Sequence, residues 1–583
     1  MTPISAEFCD PIAGSAASSA RERWLFWLIW AALVAALFYR LGGAVLFEPD
    51  EGRNSEKARE ILALHDWITP HENFHAVLDK PIFFYWLIAA SFKFFGLSEW
   101  AARLPSVLAA FGCLVLIYRF VLARWGRWEA FWSVLILLTS AEFFILARVV
   151  IFDMSLTFFM TLAFWAFYEA AHTEPAKQRR IWCLVLYSAL AIATLIKGLI
   201  GVVVPGMVFF FYLLLSNRWA VLRRIYLIPG VLLFFAIVLP WYLAADAHND
   251  GYLRYYLWDE HFGRFTTTEF ERGAPWYFFI VVALVGFFPW TLLLPVVLND
   301  IRKAGIDDKT LYLILWATLP FLFFSASKSK LPHYILPLFP ALAILTAATL
   351  GRCCRDSVAK LRFAVSLTWW LQSITALYVA LGALFPRLLG QHIRDIVVSM
   401  APAVWIYAVL STAVLIYFVA ARQAGDPGRQ RRLYLMQGFG LCFFLWFIVQ
   451  MMIAVAPDRS AQDIASKARQ RVTPSTQVVF YDTYLAGMAF YLRTEQPIWL
   501  ITNGKKKRTF LGNYYAFGKR ADPVTQWGQA MLDFDEFRAR WKSAENPLLI
   551  IVKEKNLPRL EENVGEPLHR LAAAAEYLVV AKP

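Results

Sequence analysis

Charge is scarce in this sequence. Only 17% of its 583 residues are Asp, Glu, Lys or Arg, while 59% are hydrophobic and 17% aromatic. A water-soluble chain of this length needs a far more charged surface, so a soluble globular protein is excluded. Cysteine is scarcer still. The six residues Cys9, Cys113, Cys183, Cys353, Cys354 and Cys442 lack the spacing of any zinc or haem motif. The adjacent pair Cys353-Cys354 reads as incidental. Internal repeats are missing, and so are the paired broken helices of an inverted-repeat transporter. No small-x-small cleavage site follows the first apolar stretch near Gly42-Gly43. Residues 1–23 are therefore expected to be a cytoplasmic N-terminal segment before an uncleaved first span.

What is present is a series of long apolar runs, and the mean hydropathy is +0.50. The runs last about twenty residues without alternating, which predicts transmembrane helices. The formal net charge is +14. In a soluble protein that would suggest nucleic acid. Here it predicts basic cytoplasmic loops and contact with anionic membrane lipids, and no nucleic-acid partner.

Orientation follows from Lys and Arg in short loops. The expectation is thirteen spans: 24–42, 103–123, 128–147, 152–171, 181–197, 199–215, 225–245, 275–298, 310–325, 335–350, 363–385, 402–420 and 433–455. The short stretch 81–97, which contains Lys93, is taken as re-entrant or interfacial, because a crossing there would put Arg124-Trp125-Gly126-Arg127 outside. This divides the chain into an all-α polytopic membrane domain, 24–456, with a long first outside loop, 43–102, and an external α/β domain, 457–583. In that tail Val478–Tyr481, Pro497–Ile501, Pro547–Val552 and Tyr577–Val580 predict strands, and Asp533–Lys542 a helix. Neither the outside loops nor the tail holds a cysteine, so external disulfides are not expected.

Phe47-Glu48-Pro49-Asp50-Glu51-Gly52-Arg53 directly follows the first apolar run. Pro49 is expected to break any helix there, and Gly52 to let the backbone turn. Acidic side chains at a bilayer rim are costly unless solvated, paired or used. The rest of this first loop carries Lys57, Asp79 and Lys80, and the other predicted outside loops carry more misplaced charge: Arg148 and Asp153; Asp259, Glu260, His261 and Arg264; Lys328, Lys330, His333 and Tyr334. Asp153 sits between two apolar runs. Its carboxylate either caps the following helix or faces the same cavity as Asp50, where two carboxylates can orient or deprotonate a nucleophile or bind a cation. Lys80, Arg264, Lys328 and Lys330 can hold a phosphate and stabilise charge on a leaving group, with Tyr334 as a hydroxyl donor; for the lysine pair the alternative is anionic lipid headgroups. Glu260 and His261 are the candidate metal ligands, although no metal motif fits and a histidine such as His261 is more often a surface residue than a metal ligand. A divalent cation is thus left open and no cofactor is assigned. Lys505-Lys506-Lys507-Arg508 in the tail reads as a solvated loop or as a patch for an acidic headgroup.

Four motifs, Glu48-Pro49-Asp50-Glu51-Gly52-Arg53, Asp79-Lys80-Pro81, Arg148-Val149-Val150-Ile151-Phe152-Asp153 and Ser327-Lys328-Ser329-Lys330-Leu331-Pro332-His333-Tyr334, occur in this order on one predicted face. Together with the long first loop and soluble tail they resemble the GT-C glycosyltransferases of the protein-mannosyltransferase-like group, most narrowly the lipid A aminoarabinose transferases. The resemblance implies an inverting sugar transfer on the periplasmic side of a bacterial inner membrane, from undecaprenyl phosphate to a phosphate of lipid A, lowering surface charge and the binding of polymyxin. It implies Asp50 and Asp153, with Glu51, as catalytic residues, Lys80, Arg264, Lys328, Lys330 and Tyr334 at the donor phosphate, and Arg53, Asp79 and His333 in support. The alternatives are transfer of a sugar to a protein hydroxyl, a lipid flippase or transporter, for which Lys197 is the candidate midplane charge, and a sensor or scaffold using the tail.

Overall fold

The computed structural model describes residues 20–263, 274–356, 358–385, 391–420, 427–502, 530–543 and 546–582. Its contacts divide the chain into two compact units. The first comprises residues 1–41, 106–237 and 271–454. The second draws on three separate pieces: 42–105, 238–270 and 455–583.

The described secondary structure of the first unit is helical, with no strand among its described residues. It contains α1 (Ala20–Ala35), most of α4 (Glu99–Arg124), α5 (Arg127–Leu138), α6 (Ala141–Ala147), α7 (Phe152–His172), α8 (Ala176–Lys197) and α9 (Ile200–Ser216). It also contains Val221–Arg224, the start of Leu227–His248, and the helices Phe278–Gly286, Leu294–Ala304, Asp308–Ala326, Phe339–Asp356, Val358–Leu384, Gln391–Ser399, Ala401–Ala420 and Pro427–Val455. Among the described residues eight helices are long and apolar enough to cross a bilayer, or ten if each of two bent pairs is one span. Three other expected spans are the shorter helices α1, α9 and Ala401–Tyr417.

The bends have local causes. α5 and α6 meet at 68°, where Thr139 and Ser140 turn their hydroxyls back onto the carbonyls of Leu135 and Ile136. The freed Ala141 N–H donates to Phe288 O at 3.0 Å. Pro289 stands in the second bend, of 104°, between Phe278–Gly286 and Trp290–Ala304, and a proline cannot supply the N–H that would continue the helix.

In the second unit the expectation of a loop after the first span is corrected. Asp50–Leu64 is a helix, α2. Pro49 precedes it rather than interrupting it, and Asp50 and Glu51 lie in the first turn, where the helix dipole favours anions. Gly52 is inside α2, not in a turn. A Cβ there would lie 2.6 Å from Gly487 N and 2.7 Å from Gly487 Cα, so the glycine permits close backbone approach. A two-residue hairpin follows, β1 (His71–Glu72) with β2 (His75–Ala76), and then α3 (Phe83–Phe95), a thirteen-residue apolar helix on the expected interfacial stretch.

The C-terminal part of this unit is a six-stranded sheet in the order β5-β4-β3-β6-β8-β7. β3 (Gln477–Tyr481), β4 (Trp499–Ile501), β5 (Met531–Leu532) and β6 (Leu548–Lys553) are parallel. β7 (His569–Ala574) and β8 (Tyr577–Ala581) form an antiparallel hairpin on β6. Val479, Tyr481, Ile550, Val552 and Val580 pack with Phe537, Trp541 and Leu560 from two covering helices. All four expected strands and the helix, seen at Phe534–Ser543, are present. β5 and β7 escaped the sequence, β5 for its length and β7 because His569-Arg570-Leu571-Ala572-Ala573-Ala574 has no strand-like alternation.

The loop 43–102 and the tail 457–583 therefore share one unit. Asn73 ties them from both ends of its amide, donating to Ile498 O at 2.9 Å and accepting from Ile498 N at 2.8 Å.

Candidate functional site

In the second unit α2 carries many charges yet is mostly buried. Such a helix holds together only if its charges are paired. Glu51 is fully buried and takes two bonds from the Arg103 guanidinium, at 2.9 and 2.7 Å, plus one from Phe47 N. Arg103 also donates to the carbonyls of Ala44 and Val45. Glu51 is thus an internal anchor, and both its oxygens are occupied by these donors. Arg53 binds Glu72 at 3.0 Å, Lys57 reaches the other Glu72 oxygen at 3.4 Å, and Tyr484 OH donates to Glu72 at 3.0 Å. Burial works to raise the Glu72 carboxyl, but Arg53 and Lys57 together hold it below the usual carboxylate range. Arg53 is held strongly protonated by Glu72 first, and also by Asp50 and Asp79.

Asp50 differs from its neighbours. It is exposed and accepts no hydrogen bond among the described residues. Asp79 and Lys80 lie at the start of the segment leading into α3. Tyr255 OH donates to Asp79 at 3.0 Å, and Lys80 Nζ bonds Asp79 O at 2.9 Å and Glu260 at 2.5 Å. Tyr255 and Glu260 come from the wide-turned helix Tyr255–Gly263. Glu260, expected as a metal ligand, is instead the partner of Lys80, because a buried carboxylate needs a counter-charge. Among the described residues no group of three or more His, Cys, Asp or Glu side chains is placed to hold a metal ion. The His261 side chain, Arg264 and Lys505–Arg508 lie outside the described residues.

In the first unit Asp153 lies in the first turn of α7 but does not cap it, since the N-terminus has no side-chain cap bond. Its carboxylate is buried and ion-paired. Lys197 Nζ lies 2.5 Å from Oδ1, and His333 Nε2 3.7 Å from Oδ2. Lys197, the last residue of α8, is buried, and its ammonium also sits 4.5 Å from the centre of the Tyr334 ring. Lys197, the candidate midplane charge of the transporter reading, is thus held by Asp153 in the interior of the first unit. Lys330 donates to Ser327 O at 2.7 Å, folding the Ser327–Tyr334 turn back on itself, while Lys328 is exposed. Arg148, grouped with the other displaced cations by sequence, caps backbone instead: it donates to the carbonyls of Ala36, Leu37 and Tyr39 just beyond α1.

Sequence reasoning singled out Lys197 only for the transporter reading, not as the partner of Asp153, and did not name Glu142 or Tyr484. Lys197 was visible as a cation closing an apolar run. Glu142 is a carboxylate within another such run; it is buried on α6 with neither oxygen hydrogen-bonded. Tyr484 gave no local signal, because its link to Glu72 spans 412 positions.

Residues 79–243 match the family model described as dolichyl-phosphate-mannose-protein mannosyltransferase. An undecaprenyl phosphate-alpha-4-amino-4-deoxy-L-arabinose arabinosyl transferase of Edwardsiella ictaluri is 32% identical over 57% of this chain and 60% of its own. One from Pseudomonas aeruginosa is 31% identical over 56% and 59%. The chain thus spans about 60% of the length of these curated relatives. In three dimensions it is similar to ArnT from Cupriavidus metallidurans bound to undecaprenyl phosphate, with a TM-score of 0.82 and 26% identity over 96% of this chain and 98% of that one. The apo form of the same protein gives 0.81 and 25%.

Proposed function

We propose that this chain, a multi-pass membrane protein with the GT-C fold of the aminoarabinose transferases, moves 4-amino-4-deoxyarabinose from undecaprenyl phosphate to a phosphate of lipid A. The observation that carries this reading is the likeness, over nearly the whole chain, to a solved ArnT that binds undecaprenyl phosphate. The reaction runs at the periplasmic face of the bacterial inner membrane. Modified lipid A carries less negative charge, and cationic peptides such as polymyxin bind it less.

In this reaction an acceptor oxygen attacks the anomeric carbon as the bond from that carbon to the donor phosphate oxygen breaks, with inversion. Undecaprenyl phosphate leaves with the bonding pair. Lys80 is assigned to the leaving phosphate, where an ammonium group offsets the charge that develops. Substrate phosphate competes with Glu260 for that ammonium. Asp50 is assigned to the reacting groups because it is an exposed carboxylate at the start of a helix whose other charges are engaged. A phosphate acceptor is already anionic near neutral pH and scarcely needs a base, so Asp50 acts on the sugar ammonium; with a hydroxyl acceptor it would act as base. Glu51, Arg53 and Asp79 hold this region in place. In the first unit Asp153, with Lys197 and His333, is a second functional group. The Lys328–Tyr334 turn is a cationic surface suited to phosphate-bearing lipid, and Arg264 is assigned to phosphate as well.

The test supplies purified protein with the undecaprenyl-phosphate sugar and either lipid A or a serine-rich peptide, followed by mass spectrometry of both acceptors. Pentosamine on lipid A, lost by about 10²-fold or more in Asp50→Ala and Asp153→Ala, is expected. Sugar on the peptide alone would favour the protein mannosyltransferase reading that the family model supports.

A further inference from the structure

The Asp50 carboxylate is held indirectly, through its neighbours. Glu51 fixes the chain to Arg103 of α4, and Arg53 fixes it to Glu72 of the hairpin. Glu48 makes the third attachment, and nothing in the proposed chemistry uses it. Its Oε1 accepts from Gly487 N at 2.6 Å and its Oε2 from Ala486 N at 2.9 Å. Its own N–H donates to Arg459 O at 2.7 Å. Leu46 N donates to Tyr491 OH at 2.8 Å beside it. The contact leaves no room for another atom. A Cβ on Gly487 would lie 2.6 Å from Glu48 Oε1 and 3.1 Å from Gly52 Cα. Only Pro49 separates Glu48 from Asp50, and its ring removes one of the backbone rotations that would uncouple them.

We infer that Glu48 is a positioning residue for Asp50: its carboxylate docks the start of α2 onto the Ala486–Gly487 amides of the C-terminal segment, so that this segment sets where the reacting carboxylate stands. This inference rests on the functional reading above for its catalytic consequence and on the contact alone for its structural one. It gives residues 438 and 439 positions away from Glu48 a part in the reaction without their touching substrate. It also explains two glycines at once, since a side chain on either Gly52 or Gly487 would part the same joint.

The experiment uses full-length protein in detergent micelles and the variants Glu48→Ala, Glu48→Gln and Gly487→Ala, with Asp50→Ala as reference. Amide exchange by mass spectrometry is followed across 44–56 and 482–492, beside kcat and the donor KM. Glu48→Ala and Gly487→Ala are each expected to speed exchange at 50–56 and at 486–487. Each should lower kcat about tenfold or more and leave the donor KM within about twofold, because an ångström of misplacement costs rate rather than binding. Glu48→Gln retains one carbonyl acceptor and should recover part of both losses. If Glu48→Ala does not fold, Gly487→Ala carries the same test from the other side. Wild-type exchange at 50–56 with wild-type kcat in Gly487→Ala would overturn the inference. Absence of transfer by the wild-type protein would overturn the functional reading, and the exchange at 50–56 would still decide whether the joint holds α2.

Discussion

Within Glu48-Pro49-Asp50-Glu51, three carboxylates inside four consecutive positions have three different fates. Glu48 docks on main-chain amides, Glu51 is sealed against Arg103, and Asp50 is exposed. The sequence announced a charged cluster, but residue type cannot say which member is left for chemistry, because that depends on what lies opposite each. Asp153 and Lys197 make the same point: 44 positions apart in sequence, they form one buried pair. Removing one partner of such a pair strands a charge and costs about 3–5 kcal/mol, whereas removing both costs far less. Lys197→Met should therefore lower the melting temperature clearly, and Asp153→Asn/Lys197→Met should recover most of it without recovering transfer. Thermal unfolding beside the lipid A assay separates the two effects. If the single variant melts like wild type, the pair does not stabilise the fold.

At the scale of elements, the attachment before α2 and the hairpin after it depend on pH in opposite directions. Burial, partly offset by the Gly487 and Ala486 amides, raises the Glu48 carboxyl to about 7. Its folded value lies above its unfolded one, so its contribution to stability is complete in acid and is lost as pH rises through about 7. Glu72 is held below the ordinary range despite its burial, by Arg53 and Lys57. Its contribution is present above the unfolded value and is lost as pH falls through the lower folded one. Melting temperature measured across this range should fall at both ends. Glu48→Gln should flatten the alkaline limb alone, and Glu72→Gln the acid limb alone, with a lower maximum because Arg53 and Lys57 lose their counter-charge. Equal flattening of both limbs by either variant would contradict these assignments.

Across the whole molecule, the second unit is assembled from pieces hundreds of residues apart, and its joints are polar: Asn73 on Ile498, Glu72 on Tyr484 and Glu48 on Gly487. A chain cut after Val455 would leave Glu48, Glu72 and Asn73 without these partners, and each stranded polar group costs about 1–3 kcal/mol. Such a truncation should leave α2 readily cleaved by protease and sugar transfer abolished, even when the membrane helices still insert; a protease-resistant α2 in the truncated protein would show that the tail is dispensable to it. The sequence by itself determined the membrane class, the order of the helices and most of the tail's strands, because these follow from runs and periodicities of apolar residues close together in the chain. It also marked Asp50, Lys80 and Asp153, since charge beside an apolar run is conspicuous wherever it folds. Only the tertiary structure decided that α2 is a helix, that Lys197 serves Asp153, that Glu260 serves Lys80 and that the tail shares a unit with the first loop. Those outcomes are pairings, and the energy of an ion pair or a hydrogen bond depends on distances in space that spacing along the chain does not encode.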